Sequence, residues 1–242
     1  MLSSLVIDLG NTNLKFAVFR DGKMASLEFL PDLKASTVRA FCESNPGLTH
    51  CILSSVIRHP SSARQYLTKK YIFTELDENT PLPLKNSYQT PSTLGKDRLA
   101  ASVGAYLRHK GSPVLAVTAG TCITYDFVTA DGEYLGGSIS PGLGMRFQAL
   151  HTFTGKLPLI SGAPERLTGR DTAGSIRSGV VNGILAETDG IIERYRSLYP
   201  GLKVVLSGGD MNYFEKTLKN KTFAVPNLVL EGLYKILELN AV

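Results

Sequence analysis

Short apolar runs, each closed by a glycine or an Asp-Gly pair, alternate along this chain with longer stretches whose apolar residues recur every three or four positions. Residues 4–8 read as a buried strand and 14–20 as a second. "RDGK" at 20–23 is a hairpin turn that feeds a third strand near 24–30. A helix over 34–44, a strand over 51–56, a helix through "SARQYLTKKY" and a short strand at 71–75 follow. The stretch 96–110 places Leu99, Val103, Tyr106 and Leu107 at i, i+4, i+7 and i+8, which makes one apolar helix face. Beyond it lie another strand pair, helices near 141–152 and 172–198, a strand at 203–207 and a closing helix at 227–239. Strands and helices in this order predict an α/β protein with mixed sheets flanked by helices. Residues 78–95, "ENTPLPLKNSYQTPSTLG", carry no period. A loop longer than about 12–15 residues is usually functional or disordered.

The pattern repeats. With an offset of 110 residues, Asp8-Leu9-Gly10-Asn11-Thr12 lies over Thr118-Ala119-Gly120-Thr121-Cys122, and Asp21-Gly22 over Asp131-Gly132. Strand, glycine turn, strand, Asp-Gly turn and third strand recur in order. Self-similarity over half a chain predicts a duplicated domain, with residues 1–112 as the first copy and 113–242 as the second.

Composition narrows the function classes. The 242 residues suffice for a sizeable core without staples. The net charge is +5, but Lys and Arg are scattered, and "KKY" at 69–71 and "KNK" at 219–221 are too short for a basic tract. Cys42, Cys51 and Cys122 are odd in number and fit no metal spacing, which predicts free, buried thiols in a reducing compartment. The four histidines match no ligand spacing. No run approaches a membrane span and the first residues lack the features of a signal peptide, so a cytoplasmic protein is expected, without nucleic acid or membrane as partner.

The two glycine turns suggest a nucleotide. A glycine in a tight turn lets backbone amides approach a ligand, and successive amides form an anion-binding concavity. Two such turns facing a cleft would hold a polyphosphate from both sides. Gly208-Gly209, after the strand 203–207, allows flat backbone against a planar ring. The chain has no P-loop pattern.

Together these features resemble the acetate and sugar kinase, heat-shock protein 70 and actin superfamily, and within it the type III pantothenate kinases. "DLGNTNLKF" at 8–16, "NSYQTPSTLGKDR" at 86–98, "AGTCITYD" at 119–126, "GGSISPGLGMRFQAL" at 136–150, "KLP" at 156–158, "DTAGSIRSGVVNG" at 171–183, "LSGGD" at 206–210 and "LVLEGL" at 228–233 carry the resemblance. It implies two ribonuclease H-like, actin-like ATPase domains with a nucleotide cleft between them, and ATP-dependent phosphorylation of pantothenate to 4'-phosphopantothenate, the first step of coenzyme A synthesis. It implies that Asp97 is the general base, with Arg98 pairing with substrate or holding Asp97. Asp8 would hold Mg²⁺ through water. Gly10, Asn11, Thr12 and Lys15 would meet phosphate in the first loop, and Gly120, Thr121 and Thr124 in the second. Gly208 and Gly209 would take the adenosine. Tyr88, Gly95, Lys96, Asp97 and Arg98 would line the pantothenate site, with Thr172 reaching it from the neighbouring subunit of a homodimer. A helix N-cap is the other reading of Thr172.

One position departs from the family pattern. The second loop usually carries Asp-x-Gly-Thr, and the Asp is associated with a monovalent cation, K⁺ or NH₄⁺. Here Thr118 stands in its place. Either the cation site is weakened, or the charge comes from elsewhere, as from Asp126, or catalysis is lost. The rest of the constellation is intact, which favours the first two. Two other functions compete with the kinase: a non-catalytic nucleotide-binding regulator of the accessory transcription factor type, and a kinase of another small alcohol.

Overall fold

In the computed structural model the described residues are 3–10, 13–55, 61–163 and 166–241. Two compact units emerge. The first comprises Met1–Lys110, Gly132–Leu135 and Asn227–Val242, and the second Gly111–Asp131 and Gly136–Pro226. The closing helix thus groups with the N-terminal half, although the repeat set a single boundary after residue 112.

The first unit begins with β1 (Ser3–Leu9), β2 (Leu14–Arg20) and β3 (Lys23–Leu30), followed by α1 (Ala35–Ser44), β4 (His50–Ser55), α2 (Ser61–Lys70) and β5 (Ile72–Glu75). β1 to β3 form an antiparallel meander. β4 lies parallel to β1 and β5 parallel to β4, giving the order β3-β2-β1-β4-β5. Asp21 and Gly22 both have positive φ, the backbone a two-residue hairpin requires. Alternation sorts the faces. Leu5, Ile7, Leu9, Leu14, Phe16 and Val18 pack on Val38 and Phe41 of α1 and on Ala63 and Leu67 of α2. The other face of β1 carries Ser4, Val6 and Asp8, all buried.

The loop after β5 holds β6 (Lys85–Asn86) and a 3-10 turn at Pro91–Thr93 before α3 (Lys96–Arg108). Its segment 78–95 is therefore ordered in part, and β6 pairs in parallel with Glu133 and Tyr134.

The second unit holds β7 (Val114–Ala119), β8 (Cys122–Val128), most of β9 (Glu133–Pro141), α4 (Leu143–Thr152), α5 (Thr172–Leu198), β10 (Lys203–Ser207), α6 (Met211–Thr217) and β11 (Phe223–Ala224). Its strands run in the order β11-β10-β7-β8-β9. Reversed, this reads third, second, first, fourth and fifth strand, the order of the first sheet. Leu115, Val117, Ile123, Tyr125, Phe127, Val204 and Leu206 build its core with Ile184 and Ile192 of α5.

α7 (Leu228–Asn240) returns to the first unit and packs on β1, β4 and α3. Its contact with α3 is close: a side-chain carbon on Gly232 would overlap the Ala100 carbonyl oxygen. α7 and α3 thereby cover the sheet face that carries Asp8. Cys42 and Cys51 are buried free thiols as expected, whereas Cys122 is half-buried. Among the described residues no helix is long and apolar enough to cross a membrane.

Candidate active site

In the first unit the chemistry gathers at the C-terminal end of β1. Asp8 is 6% exposed, and its Oδ1 is buried without a hydrogen-bond partner. Burial pushes its carboxyl up to about 6, the Lys15 charge draws it down, and the Asp97 charge raises it further. Lys15 lies directly opposite Asp8 in the β1–β2 register. Adjacent residues of a ladder project to one face, so the lysine accompanies the aspartate rather than pointing away from it.

Asp97 occupies the first turn of α3, half-buried. A side-chain carbon on Gly95 would sit 2.7 Å from Asp97 Oδ1, so a larger residue there would make that carboxylate shift. Arg98 is 7% exposed, and its guanidinium lies over the Tyr88 ring, 5.9 Å from the centroid. The Tyr88 ring in turn approaches Tyr134 at 6.2 Å. Lys96 Nζ stands 3.8 Å from Glu78. The loop that looked structureless thus brings Tyr88 onto the start of α3. Among the described residues no three His, Cys, Asp or Glu gather to cage a metal. The unpartnered Oδ1 of Asp8 fits a cation that keeps most of its water, since Mg²⁺ is usually held by one or two carboxylates plus phosphate oxygens.

The glycine hairpins differ in detail from the expectation. The Gly10 amide donates to the Asn13 carbonyl at 3.0 Å, and the Gly120 amide to Cys122 at 2.9 Å. Both amides are spent inside their turns. What Gly120 offers a ligand is room, for a side-chain carbon there would meet nothing within 4 Å. Asn11 and Thr12 lie outside the described residues.

In the second unit three segments converge on the Gly120 turn. Gly208 has φ +99°, and an added side-chain carbon would strike the Ala119 carbonyl. Asp210 donates its amide to that carbonyl at 3.0 Å. Gly142, the N-cap of α4, donates to Thr121 at 3.0 Å and lies against the Gly120 carbonyl. The sequence reading missed Gly142, although it stands in the quoted stretch 136–150. Gly208 is fixed by packing, while Gly209 faces open space. Thr121 is exposed. Thr118 and Thr124 are register partners, and each has a buried Oγ1 without a partner. Ser207 flanks Thr118 on β10. Asp126, fully buried, opposes Ala116 two residues further along the same face.

Thr172 opens α5 and is exposed. It is not the N-cap: Asp171 caps the helix, accepting from the Gly174 amide at 2.6 Å.

A family model for type III pantothenate kinase matches residues 4–194. A type III pantothenate kinase from Christiangramia forsetii is 44% identical over 239 residues, covering 98% of each chain. Among solved structures, a Baf family transcriptional activator from Campylobacter jejuni aligns with a TM-score of 0.61 at 21% identity, over 98% of each chain. A glucokinase from an Antarctic psychrotroph aligns at 0.55 and 11% identity, over 99% of each. At such identities the two structures speak for the fold alone.

Proposed function

The chain belongs to the type III pantothenate kinase family, whose activity is ATP-dependent phosphorylation of pantothenate in coenzyme A biosynthesis, and we propose that Asp8, Asp97 and Arg98 carry that reaction here. The observation behind the assignment is the buried carboxylate of Asp8, whose Oδ1 has no partner, within electrostatic reach of the half-buried Asp97.

Phosphoryl transfer rests on positioning and charge neutralisation. Asp97 accepts the proton of the pantothenate hydroxyl. Arg98, whose guanidinium lies over Tyr88, fixes the substrate and keeps Asp97 oriented. Tyr88, Gly95 and Lys96 line the same pocket. Asn11, Thr12, Lys15, Thr121 and Thr124 meet phosphate oxygens, Gly10 and Gly120 shape the two turns that carry them, and Gly208 and Gly209 take the adenosine. Asp8 holds Mg²⁺ through water, and the bound ion supplies charge neutralisation on the phosphates. Thr118 and Thr124 present neutral oxygens only, so K⁺ or NH₄⁺ is held more weakly than by a carboxylate at position 118. The shared strand order supports two copies of one ribonuclease H-like unit, with the domain boundary near residue 112. A cytoplasmic homodimer in which Thr172 serves the partner's site completes the reading.

Purified protein with ATP, Mg²⁺ and pantothenate, followed for 4'-phosphopantothenate, tests it. Asp97→Asn is expected to lower turnover by ~10²–10⁴, the range of a general base. Near-normal turnover in that variant removes the role. Absence of product from the parent protein, across a range of K⁺ concentrations, favours the nucleotide-binding regulator instead.

A further inference from the structure

Ser54 takes no part in the mechanism above, yet it stands beside Asp8. The two are partners in the parallel β1–β4 register. Side chains so paired project to the same face, on strands about 4.8 Å apart. Ser54 is fully buried, and its Oγ, like Asp8 Oδ1, has no hydrogen-bond partner. A buried hydroxyl with nothing to bond is unfavourable, and alanine would remove that cost. Two such atoms, on register partners of one sheet face near the end of the strand that enters the glycine turn, point to an arrangement completed by ligand.

We propose that Ser54 is a positioning residue for Asp8. When nucleotide is bound, its O–H donates to the Asp8 carboxylate and fixes the orientation of the oxygen that faces the hydrated Mg²⁺. This rests on the assignment of Asp8 as the Mg²⁺ carboxylate. The same face offers a control. Ser4 is also fully buried with an unpartnered Oγ, but it lies four residues back along β1 and pairs with His50.

The test is calorimetric binding of ATP with Mg²⁺ and of ATP with EDTA, together with melting of the ligand-free protein. The parent is compared with Ser54→Ala, Ser54→Thr, Ser4→Ala and Asp8→Asn. Ser54→Ala is expected to weaken binding of ATP with Mg²⁺ about tenfold, the size of one charge-assisted hydrogen bond. Binding of metal-free ATP stays as in the parent, and the melting temperature does not fall. Ser54→Thr, which keeps the hydroxyl, restores the Mg²⁺ dependence, and Ser4→Ala leaves it unchanged. Parent-like binding of ATP with Mg²⁺ by Ser54→Ala overturns the proposal. So does equal weakening with and without Mg²⁺, or an equal effect of Ser4→Ala. If Asp8→Asn loses the Mg²⁺ dependence and Ser54→Ala keeps it, the role of Ser54 falls and that of Asp8 stands. If Asp8→Asn keeps it, both fall.

Discussion

A carboxylate buried beside an apolar strand is unfavourable in its charged form. The sign of the effect follows from the direction of the Asp8 shift, from 3.8 up to about 6. A raised folded value means that the folded state prefers the protonated acid. The stabilisation relative to the unfolded chain is present below about pH 4 and is lost as pH rises through about 6. A shift of this size is worth about 2–3 kcal/mol. Asp8→Asn, which has no charge to bury, should therefore be more stable than the parent at pH 7.5 in EDTA by up to that amount. The gain should shrink to near nothing at pH 4. Denaturant unfolding at pH 4, 6 and 7.5 measures it, and an Asn variant no more stable than the parent at pH 7.5 would show that the carboxylate is well solvated. The sequence revealed that an aspartate ends the first strand, because an ionisable residue interrupts an apolar run there. It did not reveal the burial. That depends on α3 and α7 covering the face, and α7 is more than 200 residues away in the chain. Nor did it reveal Ser54, whose meaning comes only from the parallel register of β4 on β1.

Elements with a strong period were legible, and those that exist through a distant partner were not. The five strands of the first sheet and the long helices follow the apolar runs. β6 and β11 have two residues each, too short for any period, and form because Glu133–Tyr134 and Val205–Leu206 offer them edges. α6, seven residues long, spans too few turns to display a period. The glycines between α3 and α7 show the same dependence. "LVLEGL" was recognisable as a motif, but its physical reason is the close approach of α7 to the Ala100 carbonyl at Gly232. Gly232→Ala must push the helices apart. Overpacking of this kind costs about 1–3 kcal/mol. Because α3 carries Asp97 and Arg98 on its first turn, the variant should also lose turnover. A melting curve and a steady-state assay check the pair of effects. Unchanged stability would mean that α7 shifts freely along α3.

At the scale of the whole molecule, the strands of the two units follow one order, with β6 added at the edge of the second sheet, but the hairpins are not identical. Leu9 pairs with Leu14, leaving four residues in the first turn, whereas Ala119 pairs with Ile123, leaving three in the second. The 110-residue offset therefore aligns the first strands and slips by one on the second, so that Lys15 and Thr124, not Lys15 and Tyr125, hold corresponding places. Thr172 is exposed at the start of α5, and Asp171 has already taken the capping duty, so the Thr172 hydroxyl is not committed as the cap of its own helix. If Thr172 serves the partner's site in a two-fold dimer, each site draws Asp97 from one chain and Thr172 from the other. Asp97→Asn and Thr172→Ala homodimers are then both impaired. A hybrid of the two has one site with both defects and one with neither. Random reassociation makes half the dimers hybrids, so the mixture should recover about a quarter of parent turnover, well above either variant alone. If Thr172 serves its own chain, every hybrid site keeps one defect, and mixing recovers nothing. Co-refolding the two variants and assaying phosphopantothenate separates these outcomes, because only exchange of chains can rebuild an undamaged site.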